Sequence, residues 1–254
     1  GTNLLSQKML GKINAQWQLN LYNTCIYKNS VLIGVGATSK GEKMDFYARY
    51  LYKKVLSKQY KHSVRDEQTK RMVESLGLSA INTGCPTLWG FTPEFCRKIP
   101  TQKADDCILT VSGYLNQQSI EKDKKMLEIL DASYNNLWAW IQTTEDEKYL
   151  DSLVDSAKIK KIYSLEAYRE VLEKENVDYI GTRLHGGVFA MQHLVRSIII
   201  SIDNRAEGFH ETNNIPIIRR NDIESKLEST IHSDFRTDIV IDQNKIYEFK
   251  NQFV

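Results

Sequence analysis

The residues best suited to chemistry lie between positions 178 and 193, in the stretch DYIGTRLHGGVFAMQH. A short β-type apolar segment leads into Arg183, His185 and the glycine pair Gly186-Gly187, and an apolar helical segment follows. A strand, a turn and a helix in this order present the free backbone N–H groups of a helix N-terminus to an anion. The stretch therefore predicts an anion site that also carries a guanidinium and an imidazole.

Each residue of this turn has its own chemical use. Arg183 can hold a carboxylate or a phosphate through two parallel hydrogen bonds. His185 carries an imidazole, a side chain that can act as acid or base at neutral pH. Gly186 and Gly187 lack a Cβ atom, and we expect this to let an anion reach the backbone donors. The alternative is that Arg183 pairs with a neighbouring acid while His185 only caps the helix.

A second arginine, Arg65, lies in HSVRDEQT, where another predicted strand ends and a helix follows. Two strand-end arginines suit a ligand with two anionic groups. The alternative is a structural pair of Arg65 with Asp66 or Glu67. His62, inside the short strand, is interpreted as a core or edge histidine.

A third segment, Asp203-Asn204-Arg205, follows the apolar run SIIISI. We expect its side chains to point to the same rim as the other two segments. Aspartate and asparagine are also common turn formers, so only the location of this segment favours a role in binding.

The composition bounds the class of protein. The chain has 254 residues, 41% of them hydrophobic and 26% charged, with a net charge of +2, and this balance gives no electrostatic argument for nucleic acid or a membrane. No apolar run approaches the ~20 residues of a membrane span. Four cysteines without a C-x-x-C pair predict reduced thiols and a cytoplasmic location, with a peripheral position at the inner face of the membrane left open.

The elements that position these residues alternate between strand and helix along both halves of the chain. Strands are predicted at residues 31–35, 62–65, 80–83, 107–111, 137–142, 161–163, 178–181 and 197–202. Helices are predicted at residues 15–28, 44–56, 67–76, 120–133, 146–155, 165–175, 186–193, 222–232 and 243–253. This alternation predicts an α/β fold with parallel sheets, in which ligands bind outside the carboxyl ends of the strands.

The domain organisation follows from a proline-containing stretch at residues 89–102, which is the best linker candidate. We expect two Rossmann-like domains, residues 1–102 and 103–242, and a C-terminal helix over residues 243–254 that packs back on the first domain. The chain opens on Gly1, and we expect that further sequence once stood upstream.

Three stretches resemble the polysaccharide pyruvyl transferase family. GTRLHGGVFAMQH with SIIISIDNRAEGF resembles its C-terminal signature, YKHSVRDEQTKRMVESLG with INTGCPTLW its middle segment, and GTNLLS its N-terminal glycine loop. The resemblance implies a GT-B-like fold of two Rossmann-like domains with the active site in the cleft between them. It also implies transfer of pyruvate from phosphoenolpyruvate to a sugar of a cell-surface polysaccharide or its precursor, commonly as a ketal.

The same resemblance implies roles for the residues. His185 would be the catalytic histidine, and Arg65 and Arg183 would bind the donor. The predicted substrate-binding set is Arg65, Arg183, Leu184, Gly186, Gly187, Asn204 and Arg205. The first domain would be the acceptor side and the second the phosphoenolpyruvate side. Family members usually have a further segment ahead of GTNLLS, so the first domain is expected to lack its first strand or strands.

The expected partners are phosphoenolpyruvate and a sugar acceptor, with lipid- or nucleotide-linked acceptors and a polysaccharide-synthesis complex left open. No nucleic acid is expected, and no metal or other cofactor, since the arginines cover the charge of the donor. Two alternatives remain at this stage. One is a GT-B glycosyltransferase, because the diphosphate of a nucleotide sugar suits the same helix end. The other is a catalytically idle member that acts as a binding module.

Overall fold

The structure of the protein is a computed structural model that describes residues 3–10, 16–38 and 43–254. Its helices are α1 (Phe46–Val55), α2 (Glu67–Glu74), α3 (Pro93–Cys96), α4 (Ile120–Ser133), α5 (Thr144–Leu153), α6 (Leu165–Lys174), α7 (Leu184–Gln192), α8 (Asn204–Asn213), α9 (Ile223–His232) and α10 (Gln243–Asn251). Its strands are β1 (His62–Val64), β2 (Ala80–Asn82), β3 (Asp106–Thr110), β4 (Leu137–Trp140), β5 (Lys160–Ile162), β6 (Val177–Gly181), β7 (Ser197–Ser201) and β8 (Ile217–Arg219).

The chain divides into two compact units, Gly1–Trp89 with Ile241–Val254, and Gly90–Val240. The boundary therefore falls before residues 90–102, which the sequence analysis assigns to the first domain. Phe91, Cys96 and Ile99 in this stretch are buried, and the apolar burial makes it part of a folded unit rather than an open linker. Helix α10 belongs to the first unit.

The first unit contains the parallel pair β1–β2, with α1 and α2 beside it. Both helices begin at an aspartate whose carboxylate accepts a hydrogen bond from a backbone N–H of the first turn. Asp45 accepts from Ala48, and Asp66, the predicted N-cap, accepts from Thr69. Such caps satisfy donors that the helix itself leaves without an acceptor.

The predicted strand at residues 31–35 runs beside β1 but is not regular. The Ser63 N–H donates to the Leu32 carbonyl, as in a parallel ladder. Gly34 then adopts a φ of 60°, and its own N–H donates to the Ser63 hydroxyl over 2.9 Å. The local run of apolar residues is correctly placed, but a left-handed glycine breaks the ladder, so the prediction of a regular strand is wrong.

The predicted helix at residues 15–28 is also wrong over its described part, 16–28, where the chain forms bends and successive turns. Two asparagine side chains explain the difference. The Tyr22 N–H donates to Asn20 Oδ1 over 3.0 Å, and the Asn20 N–H donates to Asn23 Oδ1 over 2.9 Å. These side-chain acceptors offer the backbone an alternative to helical hydrogen bonds.

The second unit is built on a six-stranded parallel sheet in the order β5-β4-β3-β6-β7-β8. The chain starts at β3, builds outward to β5, crosses back to β6 and builds outward again to β8. This is the doubly wound Rossmann order, and its direction reverses between β3 and β6. Helix α8 and strand β8 are not predicted from the sequence, because β8 has only three residues and α8 has a weak amphipathic pattern.

A buried arginine joins the amino end of β6 to the end of α9. Arg196 is 1% exposed, and its Nη1 donates to Asp178 Oδ2 over 2.7 Å. Its Nη2 donates to the carbonyls of Thr230 and Ile231 at the C-terminus of α9. Burial raises the pKa of the Asp178 carboxyl, although Arg196 acts against this rise.

A buried histidine fixes the irregular segment against β1. His62 is fully buried, as expected for a core histidine, and its Nδ1 accepts the Leu32 N–H over 3.2 Å. Its Nε2 lies 3.0 Å from the Ser57 carbonyl, so it must be the protonated nitrogen of a neutral ring. Burial lowers the pKa of His62 below its ordinary value of 6.5.

This lowered pKa gives the first unit a pH-dependent stability. Below pH 6.5 the unfolded chain binds a proton at His62 that the folded chain resists. As the pH is lowered from 6.5 to the folded pKa, the free energy of unfolding should therefore decrease by up to about 1.4 kcal/mol per pH unit. Denaturant titrations between pH 7.5 and 5 should show a shallower fall in His62→Asn, which keeps an acceptor for Leu32. The exposed His232→Asn should keep the native slope, and an unchanged slope in His62→Asn would contradict the assignment.

Candidate functional site

The carboxyl ends of β3 and β6 lie side by side where the strand order reverses. The loop after β3 leaves to one side of the sheet and the turn after β6 to the other, and a crevice forms between such connections. The turn after β6 carries Arg183 and His185, and the loop after β3 carries Tyr114. The predicted anion turn therefore lies at the switch point of the sheet.

The backbone of Arg183 is fixed by a closed set of hydrogen bonds. Its N–H donates to Thr110 Oγ1 over 3.2 Å, and its carbonyl accepts from the Tyr179 hydroxyl over 2.8 Å. Thr110 Oγ1 and the Tyr179 hydroxyl are 2.7 Å apart, so the threonine hydroxyl must donate to the tyrosine oxygen. Burial raises the pKa of Tyr179, which keeps this donor protonated. The turn is therefore held before any ligand arrives.

The guanidinium of Arg183 pairs with a buried acid. Its Nη2 lies 2.5 Å from Asp146 Oδ1, and its Cζ lies 5.0 Å from the centre of the Tyr114 ring. The Asp146 carboxylate, 2% exposed, also accepts the N–H groups of Gly113 (2.7 Å) and Thr143 (3.2 Å). The structure therefore contains the ion pair that was considered as the alternative for Arg183, and the acid is Asp146. Arg183 Nε is buried and has no hydrogen-bond partner within the described part of the chain.

His185 occupies the second position of α7 and is exposed. Its ring packs edge-on against Phe209 of α8, with 6.0 Å between the ring centres. Arg183, the N-cap, makes no side-chain cap, and the backbone ladder starts with the Gly187 N–H donating to the Arg183 carbonyl over 3.1 Å. The first turn of α7 therefore carries an imidazole at the positive end of the helix dipole.

The two glycines face the sheet rather than a ligand. A Cβ atom on Gly186 would lie 2.8 Å from the Tyr179 hydroxyl. A Cβ atom on Gly187 would lie 2.8 Å from Ile199 Cγ1 and 2.9 Å from Tyr179 Cε1. The expectation that their missing Cβ atoms open the backbone to an anion is wrong, because the space they leave is filled by β6 and β7. Leu184, in the first position of α7, has a buried side chain, which leaves its backbone as the part that a ligand could meet.

The start of α8 lies beyond the adjacent strand, β7. Asp203 caps α8 by accepting the Arg205 N–H over 2.9 Å, and the Arg205 guanidinium bonds the same carboxylate over 2.6 Å. Burial alone would raise the pKa of Asp203, but these hydrogen bonds lower it overall. Arg205 is half exposed. Asn204 begins α8, and its side chain lies outside what the structure describes.

Arg65 belongs to the first unit, at the carboxyl end of β1. Its Nη2 donates to Asn3 Oδ1, and its Nε lies 3.6 Å from Asp66 Oδ2. The guanidinium lies across Gly36, where a Cβ atom would meet Arg65 Nε at 2.4 Å. The alternative considered for Arg65, a structural pair with Asp66, is present, and the hydrogen bond to Asn3 connects Arg65 to the N-terminal segment.

Asp146 and Tyr114 are not among the site residues predicted from the sequence. A local signal for Asp146 exists, since Thr143 and Asp146 form the capping box of α5. The pattern identifies a helix start, but its link to a residue 37 positions later appears only in the fold. Tyr114 follows Ser112-Gly113 in a loop without a distinctive pattern.

Residues 3–10, 16–38 and 43–254 were searched for a metal-binding group and for a membrane-spanning helix. No group of three or more histidine, cysteine, aspartate or glutamate side chains is arranged to hold a metal ion. Over the same residues, no helix has the length and apolar character needed to cross a membrane.

Comparison with known proteins identifies the chain's relatives. The model of the polysaccharide pyruvyl transferase family matches residues 15–204, which is more than half of the chain. This match confirms the resemblance found in the sequence. No curated protein sequence gives a significant match.

Solved structures match at low sequence identity. UDP-GlcNAc 2-epimerase from Methanocaldococcus jannaschii matches with a TM-score of 0.56 at 13% identity, over 92% of this chain and 72% of that chain. The S. aureus MnaA–UDP co-structure matches with a TM-score of 0.50 at 12% identity, over 88% of this chain and 66% of that chain. At these identities the likeness shows the fold alone, and it confirms the predicted α/β fold of the GT-B type.

The packing role of Gly187 can be tested with a matched pair of variants. Gly187→Ala should lower the free energy of unfolding by about 1–3 kcal/mol, because its Cβ would overlap Ile199 and Tyr179. Gly208→Ala, in α8, should raise it by about 0.5–1 kcal/mol, because its Cβ meets nothing within 4 Å and alanine favours the helix. Urea denaturation followed by circular dichroism measures both. Similar effects of the two substitutions would contradict the close approach of α7 to the sheet.

Proposed function

Because the chain belongs to the polysaccharide pyruvyl transferase family, a family of transferases, we propose that it moves pyruvate from phosphoenolpyruvate to a sugar. The acceptor would be a sugar of a cell-surface polysaccharide or its precursor, and the product a pyruvate ketal and phosphate. The proposal rests above all on the exposed His185 in the first turn of α7, two positions after the fixed Arg183.

The charge of the donor fits this turn. Phosphoenolpyruvate carries a carboxylate and a phosphate, and the first turn of α7 offers backbone N–H groups and the positive end of a helix dipole. Arg183 keeps a buried Nε–H donor without a partner in the described chain. A buried donor without an acceptor is unfavourable, and an anion in the crevice would satisfy it. Asp146 would hold the guanidinium in place while the donor binds.

The chemistry requires a proton at C3 of phosphoenolpyruvate. As C3 gains this proton, C2 becomes cation-like and a sugar hydroxyl attacks it, losing its own proton. The C2–O bond to phosphate then breaks, and a second hydroxyl attacks C2 to close the ketal while its proton leaves with the departing phosphate. We assign the acid–base role to His185, because its exposed imidazole can give a proton to C3 and take one from a hydroxyl.

Three other residues are also proposed to contact the substrates. Arg65 of the first unit is a second donor-binding arginine, held by Asn3 and Asp66. Arg205, half exposed at the start of α8, and Asn204 beside it are proposed to contact substrate. The acceptor is a sugar whose lipid-linked and nucleotide-linked forms are both candidates for assay.

The His185 assignment predicts a specific loss of chemistry. His185→Ala should reduce phosphate release from phosphoenolpyruvate in the presence of acceptor by about 10²–10⁴-fold, the usual contribution of a general acid–base group. Deuterium incorporation at C3 in heavy water should fall in parallel. The exposed His232→Ala, at the end of α9, serves as the matched control and should keep the native rate. An unreduced rate in a folded His185→Ala chain would contradict the assignment.

Ligand-induced stabilisation separates the proposal from its alternatives. Phosphoenolpyruvate at 100 times its Kd should add about 2.7 kcal/mol of stability, whereas nucleotide sugars should add less. Stabilisation by a nucleotide sugar but not by phosphoenolpyruvate would favour a glycosyltransferase. Binding of phosphoenolpyruvate without turnover under any acceptor condition would favour the binding module.

A further inference from the structure

The first unit has a lysine-lined pocket at the C-terminal end of α1. The pocket has a volume of about 760 Å³, and its lining includes Lys28, Lys53, Lys54 and Lys58. Lys53 and Lys54 lie in the last turn of α1, Lys58 follows it, and Lys28 comes from the turns at residues 21–29. None of the residues that line the pocket is acidic.

The chain segments that form this pocket carry no acidic residue of their own. Residues 16–38 and 46–61 contain no aspartate or glutamate. Lys54 Nζ lies 5.1 Å from the centre of the Tyr50 ring, which is a contact with an aromatic face rather than with an acid. Lys61, at the edge of this segment, pairs with Glu248 of α10 at 2.6 Å. The four pocket lysines therefore form a cationic surface.

Large exposed apolar side chains occur in the same turns as some of the residues that line the pocket. Thr24 and Cys25 line it, and the neighbouring Tyr22 and Ile26 are 95% and 75% exposed. Leu21, in the same turns, is 54% exposed. Several large exposed apolar side chains within one short segment beside charged residues are typical of an interaction site.

The turns hold these side chains outward. The Ile26 N–H donates to the Asn23 carbonyl over 3.1 Å, and the Asn23 side chain donates to the Gln18 carbonyl over 2.8 Å. The Trp17 ring anchors the segment, with its centre 5.5 Å from Tyr27 and 6.2 Å from Tyr52 of α1. The exposed side chains are thus presented by a fixed backbone.

We propose that this surface, named here the α1 patch and formed by residues 21–29 with Lys53, Lys54 and Lys58, docks on an anionic lipid bilayer. Lysines attract anionic headgroups, and tyrosine, leucine and isoleucine side chains insert at the boundary between headgroups and acyl chains. A free phosphate would use the lysines but would leave Tyr22 and Ile26 in water. A bilayer satisfies both halves of the patch. The inference does not depend on the donor chemistry proposed for the second unit.

The lysines and the apolar side chains together determine the expected affinity for the bilayer. Each lysine near an anionic surface contributes about a fivefold increase in affinity at physiological salt. Each large apolar side chain that leaves water contributes at least about tenfold. The electrostatic part should weaken as salt rises, while the apolar part should remain.

Vesicle sedimentation with the full 254-residue chain tests the proposal. The chain should bind vesicles of equal parts phosphatidylglycerol and phosphatidylcholine, and should bind pure phosphatidylcholine far more weakly. Lys53→Gln/Lys54→Gln should weaken binding to the anionic vesicles by about 25-fold, the product of two lysine contributions. Lys124→Gln/Lys148→Gln, two exposed lysines of α4 and α5, changes the net charge equally and should keep native binding.

The contribution of the apolar side chains of the α1 patch is tested with a second pair of variants, one in the patch and one control. Tyr22→Ser/Ile26→Ser should weaken binding by about 100-fold, and the loss should persist at high salt. Ile120→Ser/Tyr163→Ser removes the same residue types at positions 57% and 62% exposed in the second unit and should have little effect. Equal binding to neutral and anionic vesicles, or equal effects of the patch and control variants, would overturn the proposal. Stronger competition by inorganic phosphate than by chloride at equal ionic strength would also overturn it, because it would indicate a soluble-anion site.

Discussion

The buried carboxylate of Asp146 holds together the three chain segments that form the switch-point crevice. It accepts the Gly113 N–H from the loop after β3, the Thr143 N–H at the start of α5, and a guanidinium hydrogen bond from Arg183 after β6. A buried carboxylate is stable only when it is paired and hydrogen-bonded. The same pairing fixes the position of Arg183, so the stability of the second unit and the geometry of the proposed anion site depend on one group.

Some residues of the turn after β6 and of the start of α7 pack against the sheet, and one is exposed. Gly186 and Gly187 bring α7 close to Tyr179 and Ile199, and Leu184 is buried. His185, between these buried positions, remains exposed at the start of the helix. The RLHGG sequence thus encodes a helix that is seated firmly on the sheet and presents one imidazole at its N-terminus. The two roles explain why glycine and histidine occur together in so short a stretch.

Much of the second unit follows from the sequence, because its strands and helices are local patterns. Helix α4, predicted at residues 120–133, forms over Ile120–Ser133. Patterns fail where a side chain competes with the backbone, as Asn20 and Asn23 do, or where a left-handed glycine interrupts a strand, as Gly34 does. The partner of Arg183 is beyond local patterns, because only the strand order brings Asp146 to it.

We propose that the first turn of α7, with Arg183 and His185, receives the anionic donor. A crystal structure of the protein with phosphoenolpyruvate bound is the decisive experiment. We expect an anionic group of the ligand within hydrogen-bonding distance of the α7 N-terminus and of Arg183, with C3 of the ligand facing the His185 imidazole. Ligand bound elsewhere in the chain, with this turn empty, would show that the donor site has been wrongly assigned.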